Sequence, residues 1–544
     1  MNPLLLTDGY KTGHHMQYPK NTTLVYSNFT PRSNKHAPKG CDKVVSFGQQ
    51  MIVTQIHELF KKEFFSRPKD EVCGEMKREL SLYLNCDYDV SHFEKLHDLG
   101  YLPIKVKSIL EGTEVPIKIP VLTIYNTHPD FYWITNYLET IISNLLWKPM
   151  TSATIARQYR KLLTKWMEKT DKDNAWFIDW QAHDFSMRGM DSIDAVISSG
   201  VGHLTSFLGS DSLPTIYGAR KYYGEEGLIC GSVNATEHSV MCAGGKEDEV
   251  ETFRRLLDTY PKGILSVVSD TWDLWKVCTN HLVALKEEIL ARDGKLVIRP
   301  DSGNPVDIIC GVNYIEIKDR NEFYGSEGDV VKFEGRFYKA IADEDSDVGF
   351  FFEDLKKQPS ENELKGVIEL LWDIFGGTIN EQGYKVLDPH IGAIYGDSIT
   401  LDRAEEICAR LEEKGFASTN IVFGVGSFTY QYNTRDTFGF AMKATYVEIK
   451  HWDVATERLN ESFNKNANPE WIEGREIFKD PITDDGTKKS ATGLLCVEET
   501  DGKIGLYDKV SWNTEDTGLL QLIYKDGEFF NTTKLSDIRE RLKF

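Results

Sequence analysis

The stretch Leu296-Val297-Ile298-Arg299-Pro300-Asp301-Ser302-Gly303-Asn304-Pro305 is an apolar run that stops in an arginine, a carboxylate, a hydroxyl and a glycine. It reads as a strand delivering side chains of both signs at its C-terminal end, on a loop stiffened by Pro300 and Pro305 and free to take an unusual dihedral at Gly303. The pattern recurs. Other candidate strands end at Asp184-Phe185, Gly209-Ser210-Asp211, Thr236-Glu237-His238, Ser269-Asp270, Ile394-Tyr395-Gly396-Asp397 and Val425-Gly426-Ser427.

These residue types suggest chemistry on a phosphorylated ligand. Arg188, Arg299, Arg435 and Lys443 lie near expected loops, and Gly396 and Gly426 stand where backbone amides at helix starts could meet phosphate oxygens. Taken singly, each cation also reads as a surface or salt-bridge residue; their joint placement at strand ends favours a phosphate site. No G-x-x-x-x-G-K-[ST] loop is present, and Gly424-Val425-Gly426 lacks the rest of a dinucleotide fingerprint. Asp270, Asp301 and Asp397 could hold ribose hydroxyls or Mg²⁺, and Asp301 could equally pair with Arg299. His238 could be a nucleophile, a base or a packed histidine. Phe185 and Tyr10 are aromatics beside polar loop residues, suited to stacking or to the core.

The elements that must position these groups follow from periodicity. Residues 151–440 alternate strand, loop and helix, which predicts a parallel sheet, closed into a barrel or doubly wound, with its site at the strand C-termini. Leu401 to Gly415 reads as one connecting helix, with Thr400 as N-cap and Leu401, Ala404, Cys408 and Leu411 on one face. Residues from about 309 to 359 interrupt the rhythm as a surface insertion with a hairpin around Glu334-Gly335, and a helix from Ser360 to Gly376 follows, opened by a Ser360/Glu363 capping box. Residues 1–150 mix a strand at Leu24–Phe29, a helix over Gln49–Phe65 and three antiparallel strands within Leu102–Tyr125. Residues 441–544 return to hairpin-like pieces, among them Gly518–Phe530 with an Asp526-Gly527 turn, and are expected to pack with the N-terminal strands.

Length and composition bound the rest. The 544 residues, 41% hydrophobic and 12% aromatic, can bury a large core, and 63 basic against 84 acidic residues give a net charge of −21, which argues against a general nucleic-acid or anionic-membrane binder. The nine cysteines are scattered without a C-x-x-C pair, as expected of reduced cytosolic thiols. With no basic leader and no long apolar run, neither export nor a membrane span is expected.

Thr7-Asp8-Gly9-Tyr10-Lys11, His183-Asp184-Phe185 with Arg188-Gly189, Lys221-Tyr222-Tyr223-Gly224, Glu237-His238-Ser239, Ser266 to Asp270, Ile298 to Pro305, Gly396-Asp397 and Thr434-Arg435-Asp436 occur in an order and spacing that resemble the nicotinamide phosphoribosyltransferases, of the type II phosphoribosyltransferase family. The likeness runs over most of the chain, the insertion excepted. It implies an irregular α/β barrel plus a β-rich domain built from the N- and C-terminal segments, working as a homodimer with shared active sites. It also implies a cytoplasmic glycosyltransferase of pyridine nucleotide biosynthesis and NAD salvage: nicotinamide and phosphoribosyl pyrophosphate (PRPP) give nicotinamide mononucleotide and pyrophosphate, with Mg²⁺ and with ATP acting through a phosphohistidine.

Carried over by position, Phe185 and the partner's Tyr10 would sandwich the pyridine ring, and Asp211 would accept the carboxamide NH₂. Arg299 would border the base and Asp301 the ribose, with Ser232 and Ser266 among the substrate contacts. Gly396, Asp397, Gly426 and Ser427 would hold the 5′-phosphate. Arg188, with Arg32, Arg435 and Lys443 from the partner subunit, would face the phosphates. His238 would be the phosphorylated histidine and Asp270 its orienting group. Asn234 and Thr236 stand where the family has Pro and Ala, and Ser427-Phe428 replaces a longer glycine run. The rival readings are nicotinate phosphoribosyltransferase, disfavoured by Asp211 and Asn304, and a non-catalytic barrel that binds nucleotides or a partner protein.

Overall fold

A computed structural model describes all residues except 343–348, 397, 453–469, 480–481, 483–490 and 544. Two large hydrophobic cores, each built on a seven-stranded sheet, organise it.

The first sheet is parallel. Its order is Gly209–Ser210, Ala182–Asp184, Ile421–Val425, Ile391–Tyr395, Asp293–Arg299, Lys262–Val268 and Asn234–Ala235. A parallel bridge from Gly209 to Gly231, three residues ahead of Asn234, brings the two edges together and closes the barrel. Along Asp293–Arg299 the side chains alternate: Leu296 and Ile298 are fully buried in the shell that also holds Val306, Ile407 and Leu411, while Val297 and Arg299 take the other face. The helix expected at Leu401 spans Leu401–Glu413, with the Thr400 hydroxyl accepting from the Arg403 amide.

The second sheet joins both ends of the chain. Thr22–Thr30 lies between Ala441–Trp452 and Leu122–Asn126, all antiparallel, and Leu520–Lys525 closes on Ile104–Ile109. Of the three strands expected within Leu102–Tyr125, the middle one, Glu114–Pro116, leaves the meander and pairs with Lys43–Val45. Gly112, at φ +92°, turns the chain there, and reciprocal bonds link Gly112 and Thr113 to Ser46.

One helix of 32 residues, Glu139–Thr170, runs through both cores. Ile141, Leu146 and Met150 pack under the antiparallel sheet, and Ile155, Tyr159 and Leu163 under the barrel, so one continuous helix serves both cores on either side of residue 150.

The segment after Cys310 forms a separate four-stranded sheet of Ile315–Ile317, Val330–Phe333, Arg336–Ala342 and Phe350–Asp354 over a small core of Ile317, Phe323, Val331 and Ala340. Its hairpin turns at Glu334 and Gly335, both at positive φ. The helix expected from Ser360 is capped by Ser360 and Glu363 but is two helices, Glu361–Lys365 and Val367–Phe375. Gly366 splits them at φ +77°, where a Cβ would lie 2.2 Å from the Gly311 nitrogen; close backbone approach overrides the helical periodicity.

Candidate active site

The candidate residues of the barrel gather at the C-terminal ends of its strands. From Ala182–Asp184 come His183 and, just past the strand, Phe185, whose rings lie 4.6 Å apart. The Arg299 guanidinium, from the end of its own strand, stands 4.9 Å over the Phe185 ring. Asp211 follows Gly209–Ser210 and accepts from His183 Nε2 at 2.8 Å and from the Ser232 hydroxyl, both through Oδ1. Burial works against its charge, but these two bonds, with the Arg299 charge, hold the carboxyl below its ordinary value. A phenyl face and an ionised carboxylate thus stand side by side.

The Pro300–Asn304 loop is fixed at both ends. The Asn304 side chain caps the helix Pro305–Cys310 by accepting from Val306 N, and the Tyr395 hydroxyl donates to the carbonyl of Gly303, itself at φ +92°. Gly396 closes the loop from the neighbouring strand: its amide donates to the Pro300 carbonyl, and a Cβ there would meet Asp301 Oδ1 at 2.5 Å and Arg299 Nε at 2.7 Å. Arg299, Asp301 and Gly396 are therefore mutual neighbours. Asp397 lies outside the described residues.

His238 opens the helix His238–Gly244 and is half exposed. Its Nδ1 lies 3.2 Å from the Thr271 hydroxyl, and its Nε2 is 3.9 Å from both Asp270 Oδ1 and Asp301 Oδ2. The hydrogen bond that orients the ring is thus made by Thr271, while the two aspartates provide a negative surround at longer range. Asp270 Oδ2 takes the Asp301 amide at 3.0 Å and the Ser302 hydroxyl at 2.5 Å; its Oδ1 is buried without a hydrogen bond. The Ser266 hydroxyl, on the adjoining strand, is also buried and unpartnered. Thr236 is buried between strands, its hydroxyl accepting from Val268 N at 2.9 Å.

Gly426 is the N-cap of the helix Ser427–Gln431, and the Ser427 side chain fills the space beside Gly189, where a Cβ would lie 2.1 Å from Ser427 Oγ. This contact draws the loop carrying Arg188 against the Gly426-Ser427 turn. Ser427-Phe428, which departs from the glycine run of the resemblance, is accommodated because residue 189 is glycine.

Tyr10, Arg32, Arg435 and Lys443 form a second group on the antiparallel-sheet side. Tyr10 is 67% exposed, with Lys11 Nζ 5.3 Å from its ring and bound to Glu139 at 2.7 Å. Burial lowers the Arg32 guanidinium pKa, and Arg435 lowers it further; burial also lowers Lys443, beside Glu139 and Arg32. The group is a patch of cations held close to one another. Among the described residues, no hydrogen bond, ion pair or ring contact joins it to the barrel-mouth group.

Two participants, His183 and Thr271, were not singled out from the sequence, and Ser302 entered only as a hydroxyl of its loop, without its Asp270 partner. His183 was readable in principle, since it stands two residues from Phe185 at a strand end and so shares its face. Thr271 and Ser302 carry only a hydroxyl in a loop, which marks nothing without the fold.

A relative from Acinetobacter baylyi named nicotinamide phosphoribosyltransferase is 44% identical over 100% of this chain and 97% of its own. The chain belongs to the nicotinamide phosphoribosyltransferase family. A relative of the same name from Mycoplasma pneumoniae is 33% identical over 90% of this chain and 94% of its own. Residues 2–105 match the family's N-terminal domain, and residues 180–460 match the nicotinate phosphoribosyltransferase (NAPRTase) family. Among solved structures, human nicotinic acid phosphoribosyltransferase aligns with a TM-score of 0.50 at 13% identity, covering 99% of this chain and 93% of that one. A nicotinate-nucleotide pyrophosphorylase from Pyrococcus furiosus also gives 0.50, at 14% identity over 99% and 95%. At those identities the two structures speak to the fold, that of the type II phosphoribosyltransferases.

Proposed function

We propose that this member of the nicotinamide phosphoribosyltransferase family transfers the phosphoribosyl group of PRPP to nicotinamide, releasing nicotinamide mononucleotide and pyrophosphate. The observation that carries the choice of base is the ionised Asp211 beside the Phe185 face. The pyridine ring stacks on Phe185, and Asp211 accepts from the carboxamide NH₂ while repelling the carboxylate of nicotinic acid. The pyridine nitrogen is a neutral nucleophile with no proton to lose, so the reaction needs alignment with the anomeric carbon and stabilisation of an oxocarbenium-like state and of departing pyrophosphate. Stacking gives the alignment. Asp301 takes the ribose, Gly396, Gly426 and Ser427 the 5′-phosphate, with Asp397 beside Gly396 in sequence, and Ser232 and Ser266 offer hydroxyls along the site.

Arg188 supplies positive charge from the barrel. The cations at 32, 435 and 443, with Tyr10, form their own group, which fits a homodimer in which each subunit completes the other's site. Among the described residues, no group of three or more His, Cys, Asp or Glu could hold a metal on its own. The unpartnered, buried Asp270 Oδ1 and the accessible Asp301 suit an ion that shares its coordination with pyrophosphate. Mg²⁺ bound there would neutralise charge on the leaving group. With a proton on Nδ1 donated to Thr271, His238 presents Nε2 as the nucleophile toward ATP, next to Asp270 and Asp301. The nine free cysteines agree with a reducing, cytoplasmic setting.

The test offers the purified protein PRPP and Mg²⁺ with nicotinamide or nicotinic acid, with and without ATP, and identifies the mononucleotide by mass. Nicotinamide mononucleotide is expected, stimulated by ATP in the wild type and not in His238→Ala. Nicotinate mononucleotide alone would assign the acid substrate instead, and no product from either base would leave the binding-barrel reading.

A further inference from the structure

His183 is a positioning residue for base recognition, we infer, and it acts on both recognition elements at once. This rests on the reading of the Asp211–Phe185 site given above. Two contacts and near-complete burial fix its imidazole. Nε2 lies 2.8 Å from Asp211 Oδ1, the ring lies 4.6 Å from that of Phe185, and the ring is nearly buried. Gly209 supplies the space: a Cβ there would stand 2.7 Å from His183 Nδ1 and 3.3 Å from its Cγ.

The carboxylate end of the arrangement is asymmetric. His183 Nε2 and the Ser232 hydroxyl both donate to the same oxygen, Oδ1. Oδ2 accepts no hydrogen bond from the described residues, and the Asp211 side chain is 40% exposed. Two donors on one oxygen fix the carboxylate's rotation, and the free oxygen is left for a ligand's N–H. The donation also sets the tautomer: Nε2 carries the proton, and Nδ1, against Gly209, does not need one. Because the same ring packs on Phe185, a shift of His183 moves the stacking surface and the acceptor together. Ser232 alone cannot replace it, since it stands on the exposed segment before Asn234–Ala235 and touches only the carboxylate.

The experiment compares wild type, His183→Ala, His183→Gln and Gly209→Ala in steady-state turnover of nicotinamide and of nicotinate. Alanine removes the donor and the packing; glutamine keeps an N–H donor at similar reach; the Gly209 variant keeps every polar group and displaces the ring. Loss of a hydrogen bond to a charged group predicts a nicotinamide KM raised about 10- to 100-fold in His183→Ala, with a smaller fall in kcat from the displaced Phe185 surface and the KM for PRPP nearly unchanged. The preference for nicotinamide over nicotinate falls with it, His183→Gln recovers most of the loss, and Gly209→Ala reproduces it at an unchanged melting temperature. Unchanged nicotinamide KM and unchanged base preference in both His183→Ala and Gly209→Ala overturn the inference, as does a loss confined to kcat. Calorimetric titration of the same four proteins with nicotinamide separates the two levels. If wild type makes no nicotinamide mononucleotide, the proposed reaction fails; weaker nicotinamide binding in His183→Ala than in His183→Gln still supports the positioning, and equal binding refutes it.

Discussion

Asp211→Asn is the sharpest test of how the base is chosen, because the substitution preserves shape and alters one atom. Oδ1 continues to accept from His183 Nε2, now at 2.8 Å, and from Ser232, and that pair of donors decides which way the new amide faces. The nitrogen must occupy the Oδ2 position, where it presents hydrogens to the carboxamide NH₂ of nicotinamide, donor against donor. Losing a charge-assisted hydrogen bond costs about 1.5–3 kcal/mol, and at about 1.4 kcal/mol per decade kcat/KM for nicotinamide falls roughly 10- to 150-fold. For nicotinate the change has the opposite sign: repulsion between two carboxylates is removed and a donor is gained, so kcat/KM rises. The ratio of the two values, measured in parallel at fixed PRPP and Mg²⁺, is the readout. Hydrogen bonds keep Asp211 below its usual 3.8 despite burial, so the wild-type ratio stays flat from about pH 8 down to about pH 5. An unchanged ratio in Asp211→Asn, or a wild-type ratio that titrates within that range, refutes the assignment of this carboxylate.

Gly396→Ala places a methyl within 2.5 Å of Asp301 Oδ1 and 2.7 Å of Arg299 Nε, so turnover falls about 100-fold while thermal unfolding hardly moves; near wild-type activity would show that the loop has slack. Burial pushes Glu111 up to about 7 from 4.5, so the folded chain keeps a proton that the unfolded chain has released between those values, and stability falls as pH rises through that window. Glu111→Gln therefore gains in melting temperature relative to wild type as pH goes from about 5 to about 8, and a constant difference contradicts the argument. Lys107 Nζ lies 3.1 Å from Glu515 Oε2 with both side chains buried, tying the tail to the antiparallel sheet. Lys107→Met strands that carboxylate and costs about 3–5 kcal/mol in chemical denaturation, of which Glu515→Gln in the same chain restores a part; a neutral single substitution would refute the pairing.

The seven strands that end the barrel repeats were legible because apolar runs broken by polar groups leave a strong signal, and each of them forms at the expected place. The pairing of Thr22–Thr30 with Ala441–Trp452 could be expected only as a packing of the two ends; its register depends on partners more than four hundred positions apart, which no local pattern encodes. Glu114–Pro116 looked like its neighbours and pairs elsewhere, and the helix at Ser360 breaks at Gly366, for the same reason: the decisive contacts, with Ser46 and Gly311, are distant in sequence. Most site residues with a charge or a ring were found from their types; His183 was not, although it shares the strand-end face of Phe185. Thr271 was passed over and Ser302 was seen only as a hydroxyl on its loop, because a hydroxyl gains meaning only from what it faces.

Glycine explains much of that difference. In the sequence, Gly396 reads as a phosphate-loop amide, Gly209 as part of a strand end and Gly189 only as part of a motif, and none of them takes a left-handed conformation. Each is instead a contact: Ser427 stands against the first, His183 against the second, Arg299 and Asp301 against the third. Polar side chains from separate strands can converge at the barrel mouth only if something between them is small, and these three positions provide the room. The barrel mouth is therefore specified as much by the side chains withheld at these positions as by those presented, and a substitution at any of the three perturbs chemistry through a neighbour that it does not itself resemble.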